Sequence, residues 1–253
     1  MGKLIKYEFR KSWMVKAIIL AITAIFEVMF LVGAISGNDD VALSSAVFLT
    51  FITICSIFII GVLSIFILHK DLNTKQSYML FMTPNSTFKI LGAKIIENFG
   101  SILLFSAMFL LIGIGDITLW VAKSKGVKDM FNIINAILGE FGEDYQLDFF
   151  NVAISSAEQI VSWVFTIMVG FFAVVLSASF LNGRKFNGFI SFIVFLVVTY
   201  IIEKIFYCST NMIFGTATGY SLEKTICSIV YYIVLTVVLY IVTASIMDRK
   251  LSV

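Results

Sequence analysis

Residues 43–68 read LSSAVFLTFITICSIFIIGVLSIFIL, and the run contains no charged residue. A helix rises about 1.5 Å per residue, so ~20 apolar residues cross ~30 Å of hydrocarbon. This stretch exceeds that length and reads as a membrane-spanning helix. Five more stretches share its character, near 14–36, 98–120, 158–181, 188–207 and 226–247. The fifth is the weakest, because Glu203 and Lys204 shorten its apolar run. The expected fold is an all-α integral membrane protein with six transmembrane helices, forming one membrane domain over residues 1–253.

Composition points the same way. Apolar residues make up 60% of the chain, charged residues 13%, and mean hydropathy is +1.01. A soluble domain is about half apolar and a quarter charged, so much of this apolar surface must face lipid. One proline and 26 phenylalanines suit long, unbroken apolar helices. A net charge of +2 gives no basis for binding nucleic acid. Cys55, Cys208 and Cys227 make neither a C-x-x-C pair nor a disulfide framework. The first apolar segment is too long for a signal-peptide core and lacks an A-x-A site, so the N-terminus is expected to be retained.

Basic residues set the expected orientation. With both termini cytoplasmic, the inner side holds Lys3, Lys6, Arg10, Lys11, Lys16, Lys70, Lys75, Lys89, Lys94, Arg184, Lys185, Arg249 and Lys250, which is 13 of the 18 lysines and arginines. The outer side holds Lys123, Lys125, Lys128, Lys204 and Lys224. Cytoplasmic loops carry the excess of positive charge, so a multi-pass plasma-membrane protein with this topology is expected.

Three segments lie outside the spans. In residues 1–13, Ile5, Phe9 and Trp13 fall four apart, with Lys3, Lys6, Arg10 and Lys11 around them. That pattern predicts an amphipathic helix lying in the inner headgroup layer. The inner loop 69–97 contains Tyr78-Met79-Leu80-Phe81-Met82, which is too apolar to stay in water without a partner. A short helix there would end before Thr83-Pro84, and Ser86 or Thr87 would cap the helix leading into the third span. Such an element either docks a protein or rests on lipid. The outer segment 121–157 carries Met130, Ile133, Ile134, Ile137, Leu138 and Phe141 at helical spacing, predicting an amphipathic helix outside the membrane.

Catalytic chemistry is excluded motif by motif. His69 is the only histidine, so no H-E-x-x-H zinc site exists, and its expected place is the inner end of the second span. Neither a G-x-S-x-G elbow nor a G-x-x-x-x-G-K-[ST] phosphate loop is present. No catalytic residue, metal site or bound cofactor is expected, and energy for uphill transport must come from another subunit or an ion gradient. Two acids fall within spans, Glu27 and Asp116. A charge at the bilayer centre costs about 2.5–3.5 kcal/mol on insertion scales, which marks both as functional candidates. For Glu27 the structural alternative is a contact with Thr50, Thr53 or Ser56 of the next span.

Leu80-Phe81-Met82-Thr83-Pro84-Asn85-Ser86, followed by Gly92-Ala93-Lys94, resembles the L-x-x-T-P-x-S … G-x-K stretch of type-2 ABC exporter permeases. Lys6-Tyr7-Glu8-Phe9-Arg10-Lys11 and Asp248-Arg249-Lys250-Leu251 are similar to the ends of those permeases. The resemblance implies a half-transporter that pairs with a second copy or a paralogous permease. A separate ABC ATP-binding subunit would hold ATP and Mg. Asp71, Lys75, Gln76, Tyr78, Leu80, Phe81, Thr83 and Pro84 would then form the coupling helix, while Ile5, Phe9, Arg10 and Trp13 belong to the interfacial helix. Small relatives of this kind export peptides such as bacteriocins or phenol-soluble modulins, so an amphipathic or antimicrobial peptide is the expected cargo. The competing classes are a proton-coupled transporter using Glu27 and Asp116, and a membrane immunity or scaffold protein that transports nothing.

Overall fold

The computed structural model describes residues 1–73, 86–123, 149–181, 187–214 and 222–250. Six helices account for them: α1 (Gly2–Ser36), α2 (Asp39–Asn73), α3 (Thr87–Lys123), α4 (Phe149–Leu181), α5 (Asn187–Phe214) and α6 (Leu222–Lys250). No strand occurs among the described residues. Each helix contains a stretch long and apolar enough to cross a membrane. The chain is therefore an all-helical, multi-pass membrane protein.

The distribution of side chains fits that reading. Fully buried positions include Glu8, Ser12, Lys16, Asp71, Lys94, Glu97 and Ser101, while Phe51, Phe66, Leu104, Leu111, Phe180 and Phe189 are exposed. Water as the only solvent would favour the reverse, because each exposed phenylalanine or leucine forgoes ~1.5–3 kcal/mol of burial. Lipid removes that cost and instead drives polar groups inward.

The helices outrun the apolar stretches. α5 continues through Glu203 and Lys204 to Phe214. Lys204 donates to Tyr200 Oη at 3.3 Å one turn back, so its charge stays at the helix surface without breaking the backbone ladder. α1 is one helix from Gly2, so residues 1–13 are not set off as a separate interfacial helix. No glycine or proline interrupts Lys3–Val32, which leaves the chain no inexpensive place to bend.

The described chain divides into two compact units. One comprises Met1–Leu4, Ser64–Ile96 and Asp144–Val253; the other comprises Ile5–Leu63 and Glu97–Glu143. In the first, α4 packs against both α5 and α6. Its buried face runs through Phe165, Met168, Val169, Phe171, Val175 and Ala178. Gly170 lets Ile65 of α2 approach, since a Cβ there would stand 2.3 Å from Ile65 Cδ1.

In the second unit α1 and α2 form a tight hairpin. Gly37 takes φ 77°, and Asn38 N donates to Gly33 O at 3.1 Å, the bond that closes a Schellman cap. The returning helix passes so close that a Cβ on Gly33 would lie 2.7 Å from Ala42 N. Phe30, Ala42 and Leu49 make the apolar core beneath this turn, with Phe26, Ala46 and Trp120 packed on it.

Candidate functional site

Within the first unit, the helix ends that bound residues 74–85 are locked together. Asp71 stands two residues before the end of α2, and Lys94 lies in the second turn of α3. Lys94 Nζ donates to Asp71 Oδ2 at 2.6 Å, with Asp71 only 3% and Lys94 1% exposed. The start of α3 is also tied to α6. Thr87 Oγ1 donates to Asp248 Oδ1 at 3.3 Å and to Ala244 O at 3.4 Å, and Tyr240 Oη donates to Phe88 O at 2.8 Å. Gly92 makes room for Tyr240, whose Oη would sit 3.1 Å from a Cβ at that position. Ser86 occupies the cap of α3, its carbonyl accepting from Lys89 N and Ile90 N.

Of the residues expected in the coupling segment, Asp71 is the one described. Its carboxylate is buried against Lys94. Lys75, Gln76, Tyr78, Leu80, Phe81, Thr83 and Pro84 lie outside the described residues, as does the expected outer helix over 129–141. His69 is half-buried beside Gly188, where a Cβ would be 3.5 Å from its Nε2.

Within the second unit, a polar seam joins α1 to α3. Lys16 Nζ donates to Glu97 Oε1 and, at 2.6 Å, to Ser101 Oγ. Glu97 Oε1 also accepts from Ser12 Oγ at 3.0 Å and from Ser101 Oγ at 3.1 Å. The Lys16 ammonium lies 4.3 Å from the centroid of the Phe9 ring. Lys16 is 2% and Glu97 7% exposed, so both charges are desolvated and nearly every donor has a partner. Asn98 extends the tie to α2 by donating to Ile60 O at 3.1 Å.

Further along the same two helices, Glu27 and Asp116 bring their carboxyl groups close enough to interact. Phe30 and Trp120 continue the seam at 6.4 Å between ring centroids. The partners climb both helices in the same direction, so α1 and α3 run parallel. Thr50, Thr53 and Ser56, the alternative partners for Glu27 in α2, each donate to a carbonyl four residues back on their own helix.

Residue pattern alone did not single out the Lys16–Glu97 and Asp71–Lys94 pairs. Lys16 and Lys94 read as inner positive charges, because each sits near the start of a span. The available signal was the four-residue spacing of Ser12 with Lys16 and of Glu97 with Ser101, which puts two polar groups on one face of each helix. Of the expected interfacial residues, Ile5 and Phe9 are partly buried, whereas Arg10 and Trp13 are exposed. The face of α1 that packs is polar, formed by Glu8, Ser12 and Lys16. Among the described residues, no three His, Cys, Asp or Glu converge to hold a metal ion. Comparison of the chain with protein-family models, with curated proteins and with solved structures gives no match.

Proposed function

We propose that this chain is the transmembrane permease subunit of an ABC exporter, working with a second copy or a paralogue and driven by a separate ATP-binding subunit. The supporting observation is the lock around residues 74–85. An apolar segment that receives force from an ATPase must be anchored to the spans, or its movement is lost in bending. Asp71–Lys94 ties α2 to α3 in a buried pair, and Thr87 and Phe88 are held by α6. Tyr78, Leu80 and Phe81 between those anchors offer apolar anchors for a groove on the partner. ATP and Mg belong to that partner, and the cargo class is an amphipathic or antimicrobial peptide. The site of action is the plasma membrane, with both termini cytoplasmic.

The test is co-purification. Wild-type chain should retain an ATP-binding subunit encoded with it, and the complex should hydrolyse ATP in response to peptide. Tyr78→Ser/Phe81→Ser should insert normally yet lose the ATPase and export. ATP turnover by the isolated chain, or full export by the double variant, rejects the proposal.

The contact between Glu27 and Asp116 favours a second reading, a proton-coupled transporter that uses the pair as its proton carrier. Under that reading Glu27→Gln abolishes transport while ATP depletion leaves it intact; under the first, ATP depletion stops it.

A further inference from the structure

The free face of α1 has a second feature, independent of the transport proposal. Glu8, Ser12 and Lys16 turn one side of the helix into the protein. The opposite side, Lys6, Tyr7, Arg10, Trp13 and Met14, is exposed. Lys11 is already engaged, 3.6 Å from Glu8 Oε1 and 4.7 Å from the centroid of the Tyr7 ring. Lys6 and Arg10 have no carboxylate partner among the described residues. Two cations without a carboxylate partner among the described residues and two amphipathic rings thus share one helix face.

Because α1 is continuous, the depth of this face follows from the span. The apolar run begins at Met14, which places Trp13 at the boundary between hydrocarbon and headgroups, where indole rings are favoured. At 1.5 Å per residue, Arg10 then stands ~4.5 Å further out and Lys6 ~10 Å further out. The headgroup layer is about 5–8 Å thick on each side, so Arg10 lies within it and Lys6 stands just outside, where its flexible stem reaches back to lipid phosphates. Arg10 supplies a planar fork and Lys6 a point charge, and Tyr7 flanks them. We infer that this face is a binding site for the headgroups of anionic phospholipids in the leaflet where α1 begins. The face selects negative charge because neither cation has a counter-ion among the described residues, and each near-surface basic residue favours an anionic leaflet by about fivefold.

The full chain tests this directly. With Trp120→Phe and Trp163→Phe, Trp13 is the sole fluorophore and reports the lipids beside it. In bilayers containing brominated phosphatidylglycerol or brominated phosphatidylcholine, quenching should show a severalfold preference for phosphatidylglycerol. Lys6→Ser/Arg10→Ser should bring the preference close to one, and Arg10→Lys should largely retain it. Equal quenching by the two lipids, or an unchanged preference in the Lys6→Ser/Arg10→Ser chain, overturns the site. If the tryptophan substitutions prevent folding, thermal unfolding of the wild-type chain in detergent decides. Phosphatidylglycerol should raise the midpoint above phosphatidylcholine, and the double variant should lose that rise; equal midpoints overturn the inference.

Discussion

Lys16 and Glu97 stand 81 residues apart in sequence and meet as a buried ion pair between α1 and α3. Ser12 and Ser101 complete the shell around the shared carboxylate oxygen. Taking both charges out of water is costly, and the pair persists because its geometry satisfies them together.

Removing one partner should therefore be far worse than removing both. Lys16→Met or Glu97→Gln leaves an uncompensated or poorly satisfied buried group and should destabilise the chain by about 3–5 kcal/mol. Lys16→Met/Glu97→Leu should recover most of that loss. Unfolding in mixed micelles, read as a double-mutant cycle, measures the difference. Additive single-variant losses would show that the two side chains do not act as a pair.

Asp71→Asn and Lys94→Met probe the lock beside residues 74–85. Each should reduce stability by a few kcal/mol, as expected for breaking a buried pair. If the chain is the proposed permease subunit, each should also uncouple ATP hydrolysis from export in its complex with the ATP-binding subunit. Comparing ATPase turnover with peptide export in the same vesicles checks this, since loss of fold alone lowers both in proportion.

Two glycines allow a comparison of steric mechanisms. Gly33→Ala places a methyl 2.7 Å from the Ala42 backbone nitrogen, which cannot step aside without moving α2. Gly170→Ala meets Ile65 Cδ1 at 2.3 Å and Cγ1 at 2.9 Å, side-chain atoms that can rotate away. Overpacking costs about 1–3 kcal/mol, and Gly33→Ala should lie at the upper end with Gly170→Ala below it. Gly100→Ala meets nothing within 4 Å and should be neutral. Melting temperatures of the three purified variants rank them.

Topology is tested by thiol labelling in intact cells. In a chain with Cys55, Cys208 and Cys227 replaced, a single cysteine at Asn132 should react with an impermeant reagent added outside. A cysteine at Lys250 should react only after permeabilisation. The opposite pattern reverses the orientation inferred from the lysines and arginines.

Number, order and approximate place of the six helices were legible from residues alone, because lipid imposes a simple requirement. A span needs ~20 apolar residues and must satisfy its own backbone hydrogen bonds, and both conditions are local properties of the chain. Even α5, weakened by Glu203 and Lys204, follows from that rule. Helix ends were less legible. Residues 2–13 are polar enough to read as a separate surface segment, yet they continue the first span as unbroken helix, whereas the helix running from Ser86 or Thr87 into the third span was legible from its cap. Only the tertiary structure decided what the charged residues within those extensions do. Lys16 and Lys94 looked like inward-facing positive charges, and Glu97 drew no attention. Each became a buried partner because helices distant in sequence brought an opposite charge to it. Glu27 and Asp116 were visible one at a time as acids in apolar runs. Their meeting required the parallel register of α1 and α3, which no local pattern encodes. Burial and pairing are properties of two surfaces, and a single helix carries only one of them.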